Sequence, residues 1–195
     1  MSKALSMDER LILLLGGARA GKSSCALRLA AERQQLSGSK ACFIATAQAL
    51  DDEMSARIAR HRAERPPHWQ TIEEPYQLDD ALRQTTGAGV VVVDCLTLFV
   101  SNWLLQCEDE SRCEKAVRQI TERFLKLAQS QGQMIICVSN EVGLGVVPET
   151  RLGRVFRDLI GRVNQDFSQA ADEVYLLVAG LPLRLKPVEG KPPFF

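Results

Sequence analysis

The sequence predicts an α/β fold with a mostly parallel central sheet flanked by helices, and two observations carry that prediction. Five short apolar runs recur along the chain, at 11–15, 41–46, 90–93, 134–139 and 174–179. Continuous runs of this kind, without polar alternation, suit strands buried on both faces. Between them lie segments whose apolar residues return every three or four positions, the spacing of one helical face. Strands alternating with helices are the pattern of a parallel sheet with helical crossovers.

Taken in order, the first run closes on Gly16 and leads through "GGARAGKSS" into a predicted helix over 22–35. The second run precedes a helix over 51–64, whose Asp51, Asp52 and Glu53 suit the positive end of a helix and which stops before Pro66. The third run ends on Asp94. In 114–129, Val117, Ile120, Phe124 and Leu127 share one helical face, and in 149–171 so do Leu152, Val155, Phe156, Leu159, Ile160 and Val163. The segment after Leu181 carries Pro182, Pro187, Pro192 and Pro193, and either a short edge strand or no element fits it. At 195 residues the chain is long enough for one full core, so a single domain over 1–195 is expected, with 1–10 an N-terminal extension and 186–195 a tail.

Composition narrows the function. Lys plus Arg equals Asp plus Glu at 24 each, so no global field argues for nucleic acid or an anionic membrane, and any cationic site is local. The apolar runs are far shorter than a membrane span or a signal-peptide core, which points to the cytoplasm. The six cysteines include no Cys-x-x-Cys pair and only two histidines accompany them, so free thiols in a reducing compartment fit better than structural zinc.

Gly16, Gly21, Lys22 and Ser23 fill the pattern G-x-x-x-x-G-K-[ST], with Gly17, Ala18, Arg19 and Ala20 between the glycines. Glycines let the backbone turn so that successive N–H groups point inward at phosphate oxygens. Lys22 reaches the β- and γ-phosphates, the Ser23 hydroxyl suits Mg²⁺, and the next helix begins with its positive end toward the same anion. The strand–loop–helix context is the one this motif requires, so a P-loop NTPase-like fold with a bound nucleoside triphosphate is expected. Asp94, closing the apolar strand in "VVVVDCLTLFV", is the expected second Mg²⁺ ligand; a turn or helix-cap role is its alternative.

The second informative stretch is "DDEMSARIARHRAERPPHW", residues 51–69. Arg57, His61 and Arg65 are spaced to share a helical face, although Pro66 disfavours helix at Arg65, and Arg60 and Arg62 flank the histidine. In one reading Met54, Ile58 and His61 face the core and the arginines are a solvated face. In the other, guanidinium neighbours favour the uncharged imidazole, which attacks phosphorus while the arginines hold the anion. His68, between Pro67 and Trp69, suits packing or a turn.

These stretches, together with "DCLTLFVSN", "VSNEVGLGVVPETRLGRVFRDLIGRVNQ" and "ADEVYLLVAG", resemble the bifunctional adenosylcobinamide kinase / adenosylcobinamide-phosphate guanylyltransferase family of cobalamin biosynthesis, from about residue 11 to 185. The resemblance implies phosphorylation of adenosylcobinamide by ATP or GTP. It then implies transfer of GMP from GTP to that phosphate through a guanylyl-histidine at the position of His61. It further implies that Ala45, Thr46, Ala47, Arg62, Ala63, Glu64, Arg65 and Glu73 contact nucleotide, Glu73 through guanine, and that the protein is a homotrimer binding a corrinoid substrate. Ala20 departs from the usual serine, at a position where the loop works through its backbone. The segment 140–149, with Asn140 and Glu141, suits either a corrinoid-facing loop or a connector. A simple small-molecule kinase and a nucleotide-driven regulatory module are the rival readings.

Overall fold

The structure is a computed structural model describing residues 11–186. Its elements run β1 (Leu11–Gly16), α1 (Lys22–Ser37), β2 (Lys40–Ala45), α2 (Asp52–Ala63), β3 (Gln70–Glu73), α3 (Leu78–Arg83) and β4 (Ala88–Asp94), followed by α4 (Leu96–Gln106), α5 (Glu110–Ser130), β5 (Met134–Val138), α6 (Arg151–Ala170), β6 (Glu173–Val178) and β7 (Leu181–Lys186). One seven-stranded sheet has the order β3-β2-β4-β5-β1-β6-β7. Every pairing is parallel except the antiparallel β6–β7 hairpin. The predicted fold class, a mostly parallel sheet flanked by helices, is the one observed.

β1 explains why the strand runs lack alternation. Leu11, Leu13 and Leu15 face the apolar cluster built with α3, α4, α5 and α6, while Ile12 and Leu14 face the one built with α1. Both faces are covered, so every position is apolar, each buried side chain contributing about 2 kcal/mol. The helix on 114–129 buries Val117, Ile120 and Phe124 as predicted, and that on 149–171 buries Leu159, Ile160 and Val163.

Three elements, β3, α3 and α4, are not read from the sequence, and β7 is the edge strand that was one of the two readings open after Leu181. β3 is a four-residue edge strand with three exposed positions, so it has no apolar signal. β7 occupies the opposite edge with five of its six residues exposed, where Pro182 is tolerated. It takes in Lys186, which the sequence alone places in the tail; the rest of that tail and the extension 1–10 lie outside the described residues. α3 is only six residues long. α4 begins two residues after β4 and buries six of its eleven residues, so strand and helix merge into one apolar run.

Candidate active site at the carboxyl ends of the strands

The turn after β1 is built around constrained glycines. Gly16 has φ +153°, and a Cβ there would lie 2.6 Å from the Leu177 carbonyl oxygen. Gly21 caps α1 in the left-handed region at φ 88°. Arg19, a non-glycine residue, also has a positive φ of 58°. The first turn of α1 carries neither a capping side chain nor an acid, which leaves its N–H groups open to an anion. The loop is braced from behind, because Gly180 N–H donates to the Ala20 carbonyl at 3.1 Å. Lys22 is only 7% exposed and its Nζ donates to the Gly17 carbonyl at 2.6 Å. Burial lowers the Lys22 pKa; Cys95 and Asp94 oppose that shift, and Arg57 adds to it.

Parallel register brings the other strand ends to the same edge. Glu73 of β3 lies opposite Ala45 of β2, Ala45 opposite Asp94 of β4, and Asp94 opposite Val138 of β5. Just beyond Ala45, Thr46 is fully buried. Its hydroxyl accepts from the Cys95 N–H at 2.7 Å and donates to the Cys95 carbonyl at 2.8 Å, and Asn102 Nδ2 donates to the Thr46 carbonyl at 2.8 Å. Thr46 thus holds the corner that aims Asp94, and its hydroxyl is occupied by backbone.

α2 closes over this edge. Its N-cap Asp51 accepts from Met54 N–H at 2.6 Å, and none of its twelve residues is buried. A cleft of about 60 Å³ separates it from the sheet edge, lined by Ser23, Ala47, Met54, Arg57, Ile58, His61, Arg65, Asp94, Cys95 and Leu98. His61 therefore shares one cleft with the loop serine and the strand-end aspartate. Both sequence readings of that helix face meet here, since Met54, Ile58 and His61 line the cleft half-buried rather than entering the core. Arg65 lies past the helix end, yet it points into the same cleft with its guanidinium 3.8 Å above the Phe43 ring. Its Nε is buried without a hydrogen-bond partner, and burial lowers its pKa. Cys95, also in the lining, has its thiol pKa pushed up to about 12 by burial.

The remaining expected residues are distributed around this cleft. Arg62 forms an ion pair with Glu73, joining α2 to β3. Ala63 and Glu64 are exposed and do not line the cleft. Gly17, Ala18, Arg19 and Ala20 line a second cavity of about 420 Å³ on the far side of the loop, together with Glu141 and Leu144. Glu141 N–H donates to the Gly16 carbonyl at 3.1 Å, while Asn140 is tied through its backbone to Thr97 and Asn164. His68 and Trp69 both meet Gln34 of α1, His68 Nε2 at 3.3 Å and Trp69 Nε1 donating at 2.8 Å. Sequence reasoning missed Cys95, Leu98 and Asn102 as site-forming residues, because α4 itself was hidden in an apolar run.

Ser23 and Asp94 bring one hydroxyl and one carboxylate to the cleft, and no group of three His, Cys, Asp or Glu side chains converges among the described residues. Mg²⁺ on nucleotide phosphates takes one or two protein oxygens and completes its shell with phosphate and water, so this sparse hard-oxygen pair fits it.

Comparison with known proteins bears on this geometry. Residues 12–185 match the family described as cobinamide kinase / cobinamide phosphate guanyltransferase. The bifunctional adenosylcobalamin biosynthesis protein CobP of Pseudomonas aeruginosa is 47% identical, over 92% of this chain and 98% of its own. The proteins named CobU from Escherichia coli and Salmonella typhimurium are 40% and 38% identical, each over 90% of this chain and 99% of its own. A KaiC-like protein of Pyrococcus horikoshii superposes with a TM-score of 0.49 at 16% identity, covering 86% of this chain and 70% of that one, a likeness too distant to inform the chemistry. With a phosphate loop, a strand-end aspartate and a histidine-bearing helix gathered at one sheet edge, and with near full-length likeness to these relatives, the chain belongs to the cobinamide kinase / cobinamide phosphate guanyltransferase family.

Proposed function

We propose that this chain phosphorylates the aminopropanol hydroxyl of adenosylcobinamide with ATP or GTP. It then transfers GMP from a second molecule, GTP, to that phosphate through a guanylyl-histidine at His61. The observation that carries the reading is that His61 lines the same cleft as Ser23 and Asp94. In the first half-reaction the loop N–H groups and Lys22 bind the phosphates and orient the γ-phosphorus toward the hydroxyl. In the second, a ring nitrogen of His61 forms a P–N bond to the α-phosphorus. The Pα–O–Pβ bond breaks, and its electron pair leaves on pyrophosphate. A phosphate oxygen of the corrinoid then attacks the same phosphorus, and the imidazole regains its electron pair as the P–N bond opens. Ser23 and Asp94 would hold Mg²⁺, which when bound neutralises charge on the phosphate oxygens. Ala47 and Arg65 flank the bound nucleotide, and Glu73 accepts from the guanine base.

The reading takes residues 1–195 as one nucleotide-binding domain, supported by the single seven-stranded sheet. A reducing, cytoplasmic setting goes with it, supported by the six free cysteines. The described residues include no helix long and apolar enough to cross a membrane. The homotrimer implied by resemblance has apolar area available on β7, where Leu181 and Leu183 are 72% and 58% exposed, and sedimentation mass checks it. Incubation with GTP labelled at the α-phosphorus tests the chemistry. The expected product is an acid-labile, alkali-stable protein adduct that His61→Ala lacks; a label that survives the substitution would sink the assignment.

A further inference from the structure

We infer that Arg57 clamps the β- and γ-phosphates of GTP while the α-phosphorus faces His61, and so retains the pyrophosphate leaving group; this rests on the guanylyl-histidine reading above. Arg57 and His61 stand four positions apart on α2, and both line the cleft with Ser23 and Asp94. Side chains at that spacing are neighbours, about 5–6 Å apart at Cβ. A guanidinium beside the attacking ring therefore falls on the phosphates next to the one attacked.

The arginines around His61 are anchored differently. Arg62 is paired with Glu73 and Arg65 lies over Phe43. Among the described residues Arg57 has neither an acid nor a ring as partner. It is nevertheless close enough to Lys22 to act electrostatically on that ammonium. Lys22 and Arg57, with Arg65 also in the cleft lining and Asp94 as the acid beside them, leave net positive charge at the cleft, and like charges brought together disfavour themselves until an anion is shared. A polyphosphate supplies that anion. As the Pα–O bond breaks, the electron pair collects on the bridging oxygen of the departing pyrophosphate. Lys22 from the loop and Arg57 from α2 meet it from two sides, the guanidinium through paired N–H donors.

The test runs the transfer backwards. Enzyme carrying labelled GMP on His61 is freed of nucleotide and treated with inorganic pyrophosphate, which regenerates labelled GTP. Loss of a charge-assisted contact predicts that Arg57→Gln needs about tenfold more pyrophosphate or greater for half-maximal release. Arg57→Lys should fall between that variant and the unaltered protein, because an ammonium binds as a point charge. Arg57 is exposed, so melting curves of both variants should match the parent. Should Arg57→Gln take up label too slowly to isolate, the lysine variant supplies the same comparison. Pyrophosphate demand within twofold of the parent in both variants, with the label still on His61, overturns the clamp and leaves the histidine reading standing. An unaltered protein that takes no label, or a label that survives His61→Ala, overturns both.

Discussion

The phosphate loop and helix α2 meet at one cleft but are built oppositely. The loop grows from β1, whose six residues are all buried, and it is braced by β6 and the turn after it at Leu177 and Gly180. α2 buries none of its twelve residues and is attached near its end by the Arg62–Glu73 pair and the Arg65–Phe43 stack. The cleft between them, about 60 Å³, is far below the roughly 300–1,000 Å³ of ordinary ligand pockets. In the proposed reading, a nucleotide base entering here would displace the weakly held α2 and leave the loop in place. In the proposed chemistry a fixed cradle serves both ends of the triphosphate, while the attacking ring rides on the adjustable element.

The sharpest break between the two regions is His61→Ala. Label uptake and GMP transfer should fall by about 10⁴-fold or more, as when a nucleophile is removed. Phosphorylation of cobinamide by ATP, which in the proposed reading uses the loop, should fall by no more than about tenfold. Equal loss of both would erase the division of labour. Next comes Lys22→Met, which should lower both reactions by about 10²–10³-fold through loss of phosphate contact. Its effect on stability runs the other way. The folded state holds the Lys22 proton less tightly than the unfolded state, because burial lowers its pKa. The charged lysine therefore opposes folding at neutral pH, an opposition that fades as pH rises through the lowered folded pKa toward 10.5. Thermal melting of Lys22→Met should be at or above the parent value near pH 7.

Gly16→Ala probes the brace. A Cβ 2.6 Å from the Leu177 carbonyl, at a positive φ, should cost about 2–4 kcal/mol, read as a lowered urea midpoint. The smallest effect belongs to Asp51→Ala, which removes the cap on Met54 N–H. It should loosen α2 by about 1 kcal/mol, seen as faster amide exchange over 54–58. The global melting temperature should shift by less than about 2 °C, since α2 buries none of its residues and such a segment can open without the core. A large global shift would mean that α2 is integral to the core after all.

What was legible in the sequence follows the same division. β1, β2, β4, β5 and β6 are buried or nearly so, and their apolar runs show it. The edge strands β3 and β7 face solvent and read like loops. The loop motif is legible because its chemistry is local, with glycine, lysine and serine fixed by consecutive backbone turns. The surroundings of Asp94 are not. The Thr46 hydroxyl and the Asn102 amide reach their partners across 49 and 56 positions of chain, and no local pattern encodes such a meeting. The face of α2 was readable as a spacing, but only tertiary placement chooses between a core and a cleft for Met54, Ile58 and His61.

The Gly180–Ala20 and Gly16–Leu177 approaches also bear on how the molecule is made. Residues 16–23 leave the ribosome well before the backbone they lean on, which belongs to residues 177–180. A chain that lacked that turn would carry the loop motif without its support, so the loop's shape is completed by a segment distant from it in sequence.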